Sequence, residues 1–239
     1  IITQEHFLAQ LATAGDSRYA NMHEDMVVLG QLPFFHIFGL FLLLGSTLFG
    51  MKLVVLKAFK PNTYLNALEK YKVQQIYLVP ALLLFLVKSD LVENYDLSFV
   101  EDILCGGAPL SEELQRTAQM KLNCEVRQVY GLTEAGGCIS FLPKGFQKFA
   151  YSGKLIPFGE AKISHIDSGK NLGPNEFGEI CVRMPSCMEY YIDNQKATNE
   201  IFDADKFLHT GDVGYFDEDG ILHVIDRIKE LIKYKGYQV

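Results

Sequence analysis

Through roughly its first 125 residues the chain alternates short, almost wholly apolar runs with stretches whose apolar residues recur at helical spacing, and this limits the fold more than any other feature. Residues 26–32, 52–56, 75–79 and 102–105 read as buried strands, with a further strand at 125–129. Between them, residues 61–72, 81–89 and 111–121 read as helices. The last opens on Ser111 with Glu112 and Glu113 behind it, a capping hydroxyl followed by carboxylates at the positive end of the helix dipole. Such succession predicts an α/β layer built around a mostly parallel sheet. After about residue 150 the texture changes to short β-rich runs separated by Gly, Pro, Asn and Asp, which predicts a small antiparallel barrel or sandwich. The expected organisation is therefore the end of a preceding α/β subdomain at 1–24, an α/β subdomain at 25–150, a β-barrel subdomain at 151–226, and a hinge with the start of a lid at 227–239.

One apolar run, residues 32–50, approaches the length of a membrane span. It carries Pro33, His36, Gly39 and Gly45, which suit a buried helix beside a cavity better, so no membrane span is expected. Nothing at the start resembles a signal peptide, and the chain reads as part of a longer protein. With 22 Lys and Arg against 29 Asp and Glu, the formal charge of -7 gives no basic surplus for nucleic-acid phosphates. The five cysteines form no CxxC pair and read as free thiols in a reducing compartment.

Four short segments carry chemistry. Gly106-Gly107-Ala108-Pro109 follows a strand and precedes a capped helix, and in an open α/β sheet ligands lie beyond the carboxyl ends of strands, where glycines let a flat ring approach the backbone. At the end of the next strand, Tyr130-Gly131-Leu132-Thr133-Glu134 offers a ring to stack on a base, a hydroxyl for a phosphate and a carboxylate for magnesium. In His209-Thr210-Gly211-Asp212, the carboxylate of Asp212 is not needed by the Asp217–Gly220 turn and can accept both hydroxyls of a ribose, with Arg227 adding a fork of donors. His36, between Phe35 and Phe38, reads either as a satisfied core histidine or as a ring gating an apolar pocket. Taken singly, each also has an ordinary explanation: a tight turn, a helix cap, a surface ion pair.

LPFFHIFG, GGAPL, QVYGLTE, HTGDVGYFDEDG and DRIKELIKYKGYQV stand in the order found in the adenylate-forming superfamily, which the whole chain resembles. It is most similar to plant 4-coumarate:CoA ligases, firefly luciferases and luciferase-like fatty acyl-CoA synthetases. The resemblance implies that Gly106, Gly107 and Ala108 line the adenine and acyl pocket, that Gln128, Tyr130, Gly131 and Thr133 hold the adenylate, and that Glu134 holds magnesium. Asp212 and Arg227 take the ribose hydroxyls. His36 stands beside the reacting carboxylate with Phe38 near it, and Lys229 is the hinge. Lys233 and Gln238 match adenylate contacts, and Lys235 with Gly236 match coenzyme A contacts. His36, Thr133 and Lys229 are thus the implied catalytic residues, with ATP, Mg2+ and coenzyme A as cofactors and a small carboxylic acid as substrate.

The implied reaction is activation of the acid as acyl-AMP, then thioesterification to coenzyme A, in an intracellular protein, peroxisomal or cytoplasmic. The family's phosphate loop belongs ahead of Ile1 and its lid lysine beyond Val239, so a chain of this extent is expected to be a poor catalyst alone. Gln10 and Gly137 depart from the luciferases' pocket residues, which favours ligase chemistry over light production. A luciferase-type monooxygenase and a non-catalytic acyl-adenylate-binding relative are the alternatives.

Overall fold

The computed structural model describes residues 1–146 and 148–230, with the backbone of 233–234 and 237–238. Helix α1 (Gln4–Leu11) is capped by Thr3, and strand β1 (Val27–Gly30) follows. Next come α2 (Ile37–Leu48), β2 (Lys52–Val55), α3 (Pro61–Tyr71), β3 (Gln75–Leu78), α4 (Pro80–Lys88), β4 (Asp102–Gly106), α5 (Glu112–Leu122) and β5 (Glu125–Leu132). The expected strands and helices are all present within a few residues. Strands β2-β1-β3-β4-β5 form a parallel array, and β6 (Gly137–Phe141) and β7 (Lys154–Leu155) extend it antiparallel into one seven-stranded sheet.

Alternation along the central strands builds two cores. Leu29, Ile76, Leu78, Ile103 and Cys105 face one side, where Tyr64, Leu65 and Leu68 of α3, Leu83 and Leu86 of α4 and Ala118 of α5 cover them. Val28, Tyr77 and Leu104, one residue out of step, face the other side and meet Leu42 of α2. Both faces are covered, so the strands can be apolar throughout. Where the second core thins, at the carboxyl ends of β4 and β5, the site lies.

Local signals set the helix ends. Pro61 opens α3 with its fixed φ, and Lys72 closes it in the left-handed region. Ser111 Oγ accepts from Leu114 N at 3.3 Å to start α5. The apolar run 32–50 yields α2, whose 12 residues rise about 18 Å, well short of a bilayer core. Among the described residues no helix is long and apolar enough to cross a membrane.

On the neighbouring strands β4 and β5, Asp102 and Arg127 form a buried ion pair with side chains 5% and 4% exposed. Arg127 Nε donates to Asp102 Oδ1 at 2.9 Å, Arg127 also donates to the carbonyls of Tyr19 and Leu142, and Gln75 Nε2 donates to Asp102 Oδ2 at 2.8 Å. With so many donors satisfied the pair is tolerable in the interior, and removing one partner costs about 3–5 kcal/mol because the other charge is stranded.

The second unit is a four-stranded antiparallel sheet of β8 (Glu160–Ser164), β9 (Gly178–Arg183), β10 (Leu208–Phe216) and β11 (Leu222–Arg227), with α6 (Gln195–Ile201) between β9 and β10. Its order is β11-β10-β9-β8, the separate antiparallel unit that the β-rich texture after residue 150 predicts. One face packs Ile163, Ile180, Val182 and Leu208 into the second core. Ser152 and Gly153 pair with Leu222, and Val224 N donates to Ser152 Oγ at 3.2 Å, which ties the β10–β11 hairpin to the large sheet.

Candidate functional site

Two hollows open at the carboxyl ends of β4 and β5. One, of about 80 Å³, is lined by α1, α2 and the strand ends, with Ile37, Phe38, Phe41, Leu104 and Phe141 among its walls. The other, of about 380 Å³, runs between Gly107-Ala108-Pro109, Gln128-Val129-Tyr130-Gly131 and the hairpin residues Asp212 and 224–227. Gly107, Val129 and Gly131 line both, so the two hollows share a wall.

Glycine is required at that wall. Gly107 has φ +82°, which side chains disfavour, and a Cβ on Gly131 would lie 2.0 Å from the carbonyl oxygen of Gly137 on β6. The strand expected at 125–129 is longer: β5 runs through Leu132 because β6 pairs with it as far as Gly137. Tyr130 and Gly131 are therefore held by a sheet ladder.

Asp212, 5% exposed, is the fixed charge of the larger hollow. The Tyr130 hydroxyl donates to its Oδ2 at 2.7 Å and Arg227 Nε to its Oδ1 at 3.0 Å, Arg227 standing opposite it in the β10–β11 register. Burial, and then the Asp212 carboxylate, push the Tyr130 phenol well above its usual range, so it stays a donor. Gln128 Oε1 is buried in the same hollow with no hydrogen-bond partner among the described residues.

The turn that presents Asp212 is braced by a residue the sequence did not single out. Glu179 on β9 accepts from Gly211 N at 3.1 Å through one oxygen and contacts His209 Nδ1 at 2.7 Å through the other, with Cys181 Sγ 3.5 Å from the same nitrogen. No sequence signal marks Glu179, because the cross-strand register that brings it there is a tertiary fact.

His36 lies at the rim of the smaller hollow and caps α2, its Nδ1 accepting from Phe38 N at 3.2 Å. The ring is exposed, so the reading of a core histidine does not hold, and Phe38 lies inside with its ring 6.0 Å from Tyr77. Gly106 lines this hollow and Ala108 the larger one. Thr133 and Glu134 sit in a 3₁₀ turn just past β5, outside the lining of both hollows. Glu134 is held there by the Tyr191 hydroxyl, which donates at 2.8 Å, and by Met188 N, which donates to its carbonyl. Lys229 is exposed in the turn after β11, between Arg227 and Glu230, which do line the larger hollow. Lys235 and Gly236 lie outside the described residues, as do the side chains of Lys233 and Gln238.

A family model described as AMP-binding enzyme matches residues 1–192. The chain belongs to this family of adenylate-forming enzymes. Among AMP-binding enzymes it is similar to the luciferin 4-monooxygenase of Nipponoluciola cruciata, 43% identical over 100% of this chain and 44% of that protein. It is also similar to the probable 4-coumarate--CoA ligase 3 of Dictyostelium discoideum, 44% identical over 89% of this chain and 39% of that protein. The chain thus spans under half the length of these curated relatives. The O-succinylbenzoate coenzyme A synthetase of Bacillus subtilis, solved with ATP and magnesium ion, superposes with a TM-score of 0.87 at 30% identity, over 100% of this chain and 49% of that one. ATP-bound MatB of Rhodopseudomonas palustris superposes at 0.92 with 25% identity, over 100% and 47%.

Proposed function

We propose that the protein activates a carboxylic acid with ATP as an acyl-adenylate and then transfers the acyl group to coenzyme A. The observation that carries this reading is the shared wall: an apolar hollow for an acid and a polar hollow for a nucleotide meet at Gly107, Val129 and Gly131. That is the geometry a reaction joining the two needs, because most of the acceleration then comes from holding the partners in line.

The residues present fit a nucleotide. Gln128 Oε1 is a buried acceptor awaiting a donor such as an exocyclic amine, Asp212 offers carboxylate oxygens to a ribose diol, and Arg227, its side chain 63% exposed, has guanidinium nitrogens left for an anion. Tyr130 and Arg227 hold Asp212 in place before substrate arrives. His36, fixed by its capping bond, sets a ring nitrogen at the mouth of the acid pocket, and Phe38 shapes the wall behind it. Thr133 is the hydroxyl nearest the strand end for a phosphate. Glu134, kept in position by Tyr191, would hold magnesium, which supplies charge neutralisation on the phosphates. Lys229 is the hinge about which a lid moves between the half-reactions, and the proposed division at 150 and 151 falls just ahead of β7, the last strand of the large sheet, before the unit that carries Asp212 and this hinge. Lys233, Lys235, Gly236 and Gln238 are proposed for adenylate and coenzyme A contacts.

The similarity to luciferin 4-monooxygenases over the whole chain supports a second fate for the adenylate, oxidation. Acid-dependent pyrophosphate release from ATP by the full-length protein, abolished in Glu134→Ala, tests activation. No release with any acid overturns it and favours a binding protein. Thioester formation with coenzyme A, against light with a luciferin and oxygen, separates the two enzymes.

A further inference from the structure

The register of the second sheet gathers three metal-ligating side chains on the face turned away from the core. Glu179 and Cys181 stand two apart on β9 and so point the same way, and His209 on β10 is directly opposite Cys181. The alternate residues Ile180, Val182 and Leu208 point the other way, into the core. Glu179 Oε2 and Cys181 Sγ approach one ring nitrogen, His209 Nδ1, at 2.7 and 3.5 Å. Among the described residues no other group of three His, Cys, Asp or Glu side chains brings its ligand atoms within 4.8 Å of one another.

That shared nitrogen excludes a nucleophilic relay, because a general base faces its nucleophile with one ring nitrogen and its carboxylate with the other. Three unlike donors converging on one point are instead what a thiophilic metal ion takes. Around a tetrahedral zinc ion a ring nitrogen and a sulfur stand about 3.6 Å apart, and a nitrogen and a carboxylate oxygen about 3.3 Å. The sulfur is thus already in place, and the carboxylate has to swing away by only about half an ångström. Cys181 is buried, and its Sγ has only the Glu179 carbonyl of its own strand at 3.8 Å besides the imidazole, so no strong bond commits the thiol elsewhere. The His209 side chain is 32% exposed, which leaves an entry for the ion and room for a water as fourth ligand. Lys162, opposite Cys181 on β8, is neutralised by Asp203 at 2.6 Å and does not repel a cation. Glu179 keeps its other oxygen on Gly211 N, so an ion on Oε2 leaves the Asp212 turn braced.

We propose that Glu179, Cys181 and His209 form a site for a thiophilic divalent cation of the zinc class, distinct from the magnesium proposed at Glu134. A sulfur ligand selects against magnesium, which takes oxygen. On binding, Cys181 gives its Sγ proton to water and His209 stays neutral with its proton on Nε2. Bonds then form to the ion from Sγ, Nδ1 and Glu179 Oε2, and nothing is oxidised or reduced. Burial pushes the Cys181 thiol up to about 12, so in the free protein it is protonated and the ion itself displaces the proton.

Chelator-treated full-length protein, titrated with cobalt(II) as a coloured stand-in for zinc, binds one equivalent with a sulfur-to-cobalt charge-transfer band, and zinc displaces it. Cys181→Ser, its fold checked by circular dichroism, loses the band and binds zinc at least about a hundredfold more weakly. Zinc raises the unfolding midpoint of the parent and not of this variant. A zinc-soaked crystal of the parent locates the ion whether or not the variant folds: the anomalous peak stands about 2.3 Å from Cys181 Sγ and about 2.0 Å from His209 Nδ1. No such peak, no band, or zinc binding by Cys181→Ser equal to the parent's overturns the proposal and leaves the acid-activation reading untouched.

Discussion

The two hollows share a wall yet are built in different ways. The larger is assembled from a few point residues: one carboxylate held by a phenol and a guanidinium, and one orphaned amide oxygen. The smaller is assembled from packing, with apolar side chains from α2 and the strand ends contributing its shape. With the larger hollow proposed for a nucleotide and the smaller for an acid, affinity for the first concentrates in single groups, whereas affinity for the second is spread over area. One substitution should cripple the first, and only reshape the second.

The sharpest way to break that contrast is Asp212→Asn. It weakens both hydrogen bonds at the carboxylate and removes the charge, so kcat/KM for ATP falls about a hundredfold while the KM for the acid changes little; steady-state kinetics with each substrate varied gives the answer. Gly131→Ala strikes the common wall. With its Cβ 2.0 Å from the Gly137 carbonyl, β5 and β6 must separate, at about 1–3 kcal/mol, and both KM values rise together along with a lowered unfolding midpoint. Phe38→Ala enlarges the apolar hollow alone, shifting kcat/KM for the preferred acid by about tenfold with ATP unaffected. Tyr130→Phe removes one neutral donor from Asp212, about 1 kcal/mol or fivefold, seen for ATP only.

The smallest effect concerns pH. Asp217 anchors the turn between β10 and β11, accepting from Asp219 N at 3.0 Å and Ile221 N at 2.9 Å beside His223. Burial raises its pKa, but these donors outweigh burial and hold it below the ordinary 3.8. A depressed folded pKa means that its stabilisation is complete above that ordinary value and is lost as pH falls through the lower folded one. Acid unfolding followed by circular dichroism should therefore be less steep at that end in Asp217→Asn, with a small loss of stability near neutrality that vanishes in acid.

The strand and helix succession was legible because the parallel sheet is covered on both faces, so its strands are apolar without interruption and stand out from their flanks. That GGAP, Tyr130, Asp212 and Arg227 gather at one hollow was legible for a related reason: they are glycines and chemically conspicuous side chains at strand ends, where ligands bind in such sheets. What the sequence could not give was register. The continuation of β5 through Leu132, the bracing of the Asp212 turn by Glu179, and the hold of Tyr191 on Glu134 all depend on partners many residues away. The second antiparallel unit was legible as short strands between turn residues, but its tie to the large sheet through Gly153 and Leu222 was not.

Continuity of the two hollows is the central claim, and a bisubstrate ligand tests it most directly. A stable analogue in which a sulfamate joins the preferred acid to adenosine, titrated against the full-length protein by calorimetry, should bind at least about a hundredfold more tightly than AMP or the acid alone and displace both. An analogue that binds no better than AMP and leaves acid binding untouched would contradict the account, because the hollows would then not be open to one another.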